Sequence, residues 1–203
     1  SNIAALVDGG VTEEGEPYFI MEYVEGEPID RWCASRQLGL RERIALFRQV
    51  CAAVQYAHEH LVIHRDLKPG NIFVADDGTV KLLDFGIAKL ADPTVAEAET
   101  LTQTGALPMT VAYASPEQLR GDEVTTASDI YSLGVVLYEM ITGRRLFRRR
   151  EVAATVAAVL TGKVPPPSTI APEVPPELDR IVLKLLAKDR DQRYWCAQDL
   201  VDD

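Results

Sequence analysis

An α+β fold, with short β-hairpins set into a mostly helical chain, is what this sequence predicts, and three features predict it. Aromatic and β-branched residues gather in short runs bounded by turn formers, at YFIMEYV (18–24) and on both sides of a DDG turn in NIFVADDGTVKLLDFG (71–86). Apolar residues recur at three and four positions from Leu40 to Leu61, namely Ile44, Phe47, Val50, Cys51, Val54, Ala57 and Leu61, which is the period of one helix face. Further helical stretches follow at 126–142, 150–161 and 177–188.

Taken in order, ALVDGGV (5–11), the turn TEEGEP (12–17) and YFIMEYV form a hairpin, and a short helix covers PIDRWCASRQ (28–37). The long amphipathic helix then delivers the chain to HRDLKPGN (64–71). Pro69 has no amide hydrogen and Gly70 favours turns, so this octet must be a loop. The DDG hairpin that follows has Asn71 just before its first strand and Asp84 just after its second, so the turn brings the two together. Residues 87–112, rich in Thr, Ala and Glu and without period, are expected to be a long loop of the kind that is usually functional or disordered. The proline-rich KVPPPSTIAPEVPP (163–176) joins the last two helices and is expected to wrap the helical body. No internal repeat is present.

With 203 residues, 47% of them hydrophobic, the chain can bury a sizeable core. Its formal net charge of −10 disfavours unassisted binding to nucleic acid or anionic lipid. No apolar stretch approaches the roughly 20 residues that span a bilayer, and no signal peptide opens the chain, so a cytoplasmic location is expected. Cys33, Cys51 and Cys196 are odd in number and scattered, which suits packing rather than disulfides or zinc. SNIAALVDGG starts without methionine inside an apolar run, as expected of a piece of a longer chain.

Asp66, Lys68, Asn71 and Asp84 are the chemically telling set. Hard oxygen ligands such as Asn71 and Asp84 suit Mg²⁺, which is held by one or two carboxylates together with substrate phosphates. Asp66 is then free to orient a hydroxyl and accept its proton, and Lys68 to neutralise charge on a moving phosphoryl group. The chemistry that uses all four is metal-assisted phosphoryl transfer.

On these residues the chain resembles the catalytic part of a bacterial Hanks-type serine/threonine protein kinase. HRDLKPGN is similar to the kinase catalytic loop, Asp84-Phe85-Gly86 to the metal-binding DFG motif, and Ser115-Pro116-Glu117 to the APE motif with serine for alanine. SDIYSLGVVLYEMITG (128–143) resembles the central helix of the large lobe. The resemblance implies a protein-kinase-like fold covering 1–203 in part, with residues 1–24 the end of the small lobe and the hinge, and 25–203 the large, mostly helical lobe. It implies ATP and Mg²⁺ as cofactors and serine or threonine hydroxyls of proteins as acceptors.

The same resemblance assigns roles. Asp66 and Lys68 would be catalytic, and Asn71 and Asp84 would hold the metal. Met21 would be the gatekeeper, the backbone of Glu22 and Val24 would hydrogen-bond adenine, and Phe73 would lie under the base. Thr110 would position the substrate near Asp66 and Lys68, although Met109 departs from the usual glycine before it. His64 and Phe85 would be structural, Asp129 would cap the catalytic loop, and Arg193 would pair with Glu117. Arg65, directly before the catalytic aspartate, would bind phosphate on Thr102 or Thr104, so these three would be regulatory.

Two parts of the family's machinery have no counterpart. Gly9 and Gly10 are merely adjacent, not a phosphate-binding glycine loop, and Lys68 is the first lysine in the chain. The lysine that grips the α- and β-phosphates is therefore missing, so the chain alone is expected to transfer phosphate poorly and its parent to be active, with membrane attachment through absent segments left open. A small-molecule kinase and a non-catalytic nucleotide-binding or docking module are the competing functions. Among plainer features, His58 and His60 lie two apart on a helix and would not converge on a metal. GRRLFRRRE (143–151) reads as a solvated loop, open to an acidic partner.

Overall fold

The computed structural model describes residues 2–85 and 111–203. The N-terminal hairpin pairs β1 (Leu6–Val11) with β2 (Pro17–Met21) antiparallel, with Gly9 opposite Phe19. Its turn is closed by Thr12, whose Oγ1 accepts from the Glu16 amide at 3.1 Å and whose carbonyl accepts from Gly15 at 3.0 Å. A second sheet has the order β3-β4-β5, all antiparallel, from Gly26–Pro28, Ile72–Ala75 and Val80–Leu82. The DDG turn forms the β4–β5 hairpin, and Gly78 takes the left-handed conformation that turn needs (φ +82°). Residues 2–4 run beside β5: Leu82 donates to the Asn2 carbonyl at 2.8 Å and Ala4 to the Leu82 carbonyl at 2.9 Å. β3 and this N-terminal pairing carry no sequence signal, being short and set by partners far along the chain.

The helices are α1 (Ile29–Ser35), α2 (Leu40–Glu59), α3 (Pro116–Arg120), α4 (Thr126–Thr142), α5 (Val152–Thr161), α6 (Pro176–Leu185) and α7 (Ala197–Asp202). The Glu42 carboxylate accepts from the Gly39 amide at 2.7 Å at the start of α2. That helix ends two residues before Leu61, which turns left-handed with φ +61°. α5 begins two residues later than the periodicity predicts, and α6 runs 176–185 rather than 177–188, with the carbonyls of Ala187 and Lys188 turned to the Arg193 guanidinium. α3 is short, and its capping box is written in SPEQ: Ser115 Oγ accepts from Gln118 N while Gln118 Oε1 accepts from Ser115 N.

α4 is the axis of the core. Fourteen consecutive residues, Ser128 to Ile141, are buried, as expected of a helix apolar all round. Gly134 lets α6 approach closely, since a Cβ there would lie 2.7 Å from Leu185 Cβ. Arg43 of α2 donates to the Met140 carbonyl at 2.6 Å and so fastens α2 to the end of α4. In the proline-rich segment Val164, Pro167, Ala171 and Val174 are buried against the helical body.

The 143–151 loop is exposed at seven of its nine positions, as expected of a solvated loop, but Arg145 within it is tied to the helical body. Its guanidinium bonds the Tyr113 hydroxyl, Glu139 at 2.6 Å and Asp30 at 2.9 Å, and the Leu146 amide donates to the same Glu139. Burial and the neighbouring Glu139 carboxylate push the Tyr113 hydroxyl pKa well up, so it stays protonated and donates to Glu139. The local composition is that of a surface loop, whereas the acceptors that capture Arg145 come from α1 and α4.

Candidate active site

The octet His64–Asn71 crosses from the end of α2 to β4, and every polar side chain with a described contact in it is anchored. Asp66 Oδ2 accepts from Lys68 Nζ at 2.6 Å and from Asn71 Nδ2 at 3.0 Å; Asn71 Nδ2 also reaches the Asp66 carbonyl at 2.9 Å. Both donors converge on one carboxylate oxygen, which leaves Oδ1 of this partly exposed side chain for a third group. Pro69–Asn71 forms a single 3₁₀ turn, so Asn71 folds back toward Asp66 before β4 begins.

The loop is held from three sides. Asp129, buried at the start of α4, accepts from the His64 amide at 2.8 Å, the Arg65 amide at 2.9 Å and His58 Nε2 at 2.8 Å. Gln118 of α3 donates to the Arg65 carbonyl at 2.8 Å. His64 Nε2 donates to the Leu83 carbonyl at 2.9 Å, and its ring lies 4.6 Å from that of Phe85. Burial lowers the His64 pKa, and the neutral ring fits its contacts, since Nδ1 is left to accept from the Asp66 amide at 3.4 Å. His58 and Gln118 were missed in the sequence. For Gln118 the SPEQ capping signal was available; for His58 none was, because its partner lies 71 residues away. His60 instead turns to the Tyr56 carbonyl, away from His58's partner.

The β4–β5 hairpin supplies the opposite wall. Leu83 donates to the Asn71 carbonyl at 2.9 Å, which brings the following residue, Asp84, alongside the loop. Asp84 is exposed with φ +51°, and its carboxylate has no hydrogen-bond partner among the described residues. Asn71 Oδ1 likewise accepts no described hydrogen bond. One amide oxygen and one carboxylate form a donor set that fits Mg²⁺ shared with substrate phosphates, not a closed protein cage. Among the described residues no group of three or more His, Cys, Asp or Glu could hold a metal ion.

Met21 ends β2 and Phe73 lies on β4 opposite Lys81. Lys81 Nζ bonds both Glu22 oxygens, at 2.8 and 3.1 Å, and Glu22 Oε2 also accepts from the Ala5 amide. These hydrogen bonds, that from Lys81 first, lower the Glu22 pKa. The Glu22 amide donates to the Ala5 carbonyl, so only its carbonyl remains open, whereas the Val24 amide has no described partner. On the far side of the loop Arg193 grips Glu117 through two parallel hydrogen bonds of 2.7 and 2.9 Å, and Ser128 adds a third to Glu117 at 2.8 Å. Gly86, Thr94, Thr102, Thr104, Met109 and Thr110 lie outside the described residues.

Comparison with known proteins gives one consistent result. Residues 1–203 match the family described as the protein kinase domain. The chain is 40% identical to serine/threonine-protein kinase PknB of Mycolicibacterium smegmatis over 98% of its own length and 32% of the relative's. It is 38% identical to serine/threonine-protein kinase PrkC of Bacillus subtilis over 100% of its length and 30% of the relative's. With serine/threonine-protein kinase Pkn1 of Myxococcus xanthus the identity is 40%, over 95% and 28%. The chain thus spans about a third of the length of these relatives.

Proposed function

The chain belongs to the protein kinase domain family, and from that membership we propose that it moves the γ-phosphoryl group of ATP to serine or threonine hydroxyls of proteins. The observation that carries this reading is the double hydrogen bond on Asp66 Oδ2. It supports a carboxylate fixed in orientation, with Oδ1 turned to the acceptor. In the step proposed, Asp66 takes the proton of the attacking hydroxyl, the new bond forms to the γ-phosphorus, and the bond to the β-phosphate oxygen breaks to release ADP. Lys68 donates to the phosphoryl oxygens as the group crosses. Asn71 and Asp84 are the residues that would hold Mg²⁺, which when bound neutralises phosphate charge.

The Glu22 carbonyl and Val24 amide would receive adenine below Met21, with Phe73 on its other face. The division into the end of the small lobe with the hinge (1–24) and the large lobe (25–203) rests on the resemblance: β1 and β2 form a sheet of their own, while residues 2–4 also pair with β5. Arg65 is proposed to bind phosphate on Thr102 or Thr104, and Thr110 to seat the acceptor, on sequence grounds. No helix among the described residues is long and apolar enough to cross a membrane, and the net charge of −10 argues against a nucleic-acid partner.

Asp66→Asn in the intact protein tests the reading. Transfer from labelled ATP to a serine- or threonine-bearing protein should fall roughly 10²–10⁴-fold, while nucleotide affinity is retained. Asp84→Ala should weaken Mg²⁺-dependent nucleotide binding as well. The 203 residues alone should turn over slowly, since no lysine precedes Lys68. Wild-type turnover by the Asp66→Asn protein would remove the catalytic assignment.

A further inference from the structure

A cavity of about 270 Å³ opens where the C-terminal end of α4, the connection to α5, α5 itself and residues 162–170 meet. Four cationic side chains line it, Arg144, Arg145, Arg149 and Lys163, and among the described residues no carboxylate does. Such a concentration stands out in a chain of net charge −10.

The four cations are not equivalent. Arg145 is neutralised by Glu139 and Asp30 and belongs to the frame. Arg149 turns Nη1 onto the carbonyls of Leu146 (3.1 Å) and Arg148 (3.0 Å), which fixes its head without cancelling its charge. Arg144 and Lys163 are exposed, and their side chains have no hydrogen-bond or ion-pair partner among the described residues. Beneath them the wall is apolar, formed by the buried Leu146 and Phe147 and the half-exposed Ile170.

Uncompensated positive charge above an apolar wall selects an anionic group that has an apolar neighbour. A phosphate dianion is best served by free arginine forks that converge on it. Here the forks of Arg145 and Arg149 already have acceptors, so one free fork, Arg144, and one point charge, Lys163, remain, too few forks to converge on a dianion but suited to separate carboxylates. We infer that this cavity docks an acidic segment of the protein substrate, its carboxylates on Arg144, Arg149 and Lys163 and an adjoining apolar side chain on Leu146, Phe147 and Ile170. The inference rests on the kinase reading, which makes a protein the substrate.

The test is fluorescence anisotropy of the intact protein with a labelled peptide of interleaved glutamate and leucine. Arg144→Glu/Lys163→Glu should weaken binding roughly tenfold or more, added salt should weaken wild-type binding, and the melting midpoint should not move. A glutamine–leucine peptide should bind wild type no better than the acidic peptide binds the variant. Equal affinity of the two proteins for the acidic peptide would overturn the proposal, as would a phosphoserine peptide that displaces the probe at far lower concentration. In kinetics, attaching the acidic stretch to a serine peptide should lower KM for wild type alone, with kcat unchanged. Binding needs no phosphoryl transfer, so an inactive protein with charge-dependent binding would overturn only the kinase reading. An active protein indifferent to the acidic stretch would overturn only the docking site.

Discussion

Arg65 has φ +66°, a left-handed backbone that costs a non-glycine residue roughly 1–2 kcal/mol. Its amide is held by Asp129 and its carbonyl by Gln118, so the peptide groups leading into Asp66 are clamped from α4 and α3. Asp129→Ala removes three hydrogen bonds to a buried carboxylate and should destabilise the fold on the order of 3–5 kcal/mol. Asp129→Asn keeps the shape but loses acceptor capacity, and should lower kcat more than it raises KM for ATP. A denaturant titration with steady-state kinetics checks both; unchanged kcat in the asparagine variant would separate the clamp from catalysis. Glu117 is the other buried carboxylate near the loop. Burial alone would raise its pKa, yet Arg193 and Ser128 hold it down at about 2 from an ordinary 4.5. A depressed carboxylate contributes stability that is complete above about pH 4.5 and lost as pH falls toward 2. Stability should therefore fall by about 3 kcal/mol across that window, and Glu117→Gln should flatten the dependence.

At the scale of elements, α4 organises the molecule because it is buried on every face and takes neighbours on all sides. α6 packs onto it at Gly134, where an added methyl group would meet the Cβ of Leu185 and the side chain of Leu186. Gly134→Ala should cost roughly 1–3 kcal/mol through overpacking, despite the better helix propensity of alanine. A stabilised variant in a urea titration would mean that α6 yields without penalty. The same helix carries Asp129 at its start and Glu139 near its end, so it fixes the His64–Asn71 loop at one pole and the Arg145 network at the other. A shift of α6 should therefore also be felt as a change in kcat.

Across the whole molecule, stability is unevenly spread. The β1–β2 hairpin is largely exposed, with Val7 at 68% and Val11 at 65%, whereas α4 is sealed. Native-state hydrogen exchange should accordingly release the amides of residues 6–21 long before those of residues 130–141, and equal protection would contradict that distribution. The hairpins, α2, α4 and the loop character of HRDLKPGN were legible in the sequence, because alternation, three-and-four spacing, Pro69 and the DDG turn act over a few residues. The juxtaposition of Asn71 and Asp84 was legible for the same reason, being set by one tight turn. Only the tertiary structure decided which oxygen of Asp66 is occupied, that His58 and Gln118 brace the loop, that residues 2–4 line β5, and that Arg145 is tied to Glu139. Such contacts carry a side chain to a backbone carbonyl far along the chain, Gln118 to Arg65 over 53 positions or Arg43 to Met140 over 97. A polar residue's partner at such range depends on how elements pack, which is a property of the assembled core and of no local pattern.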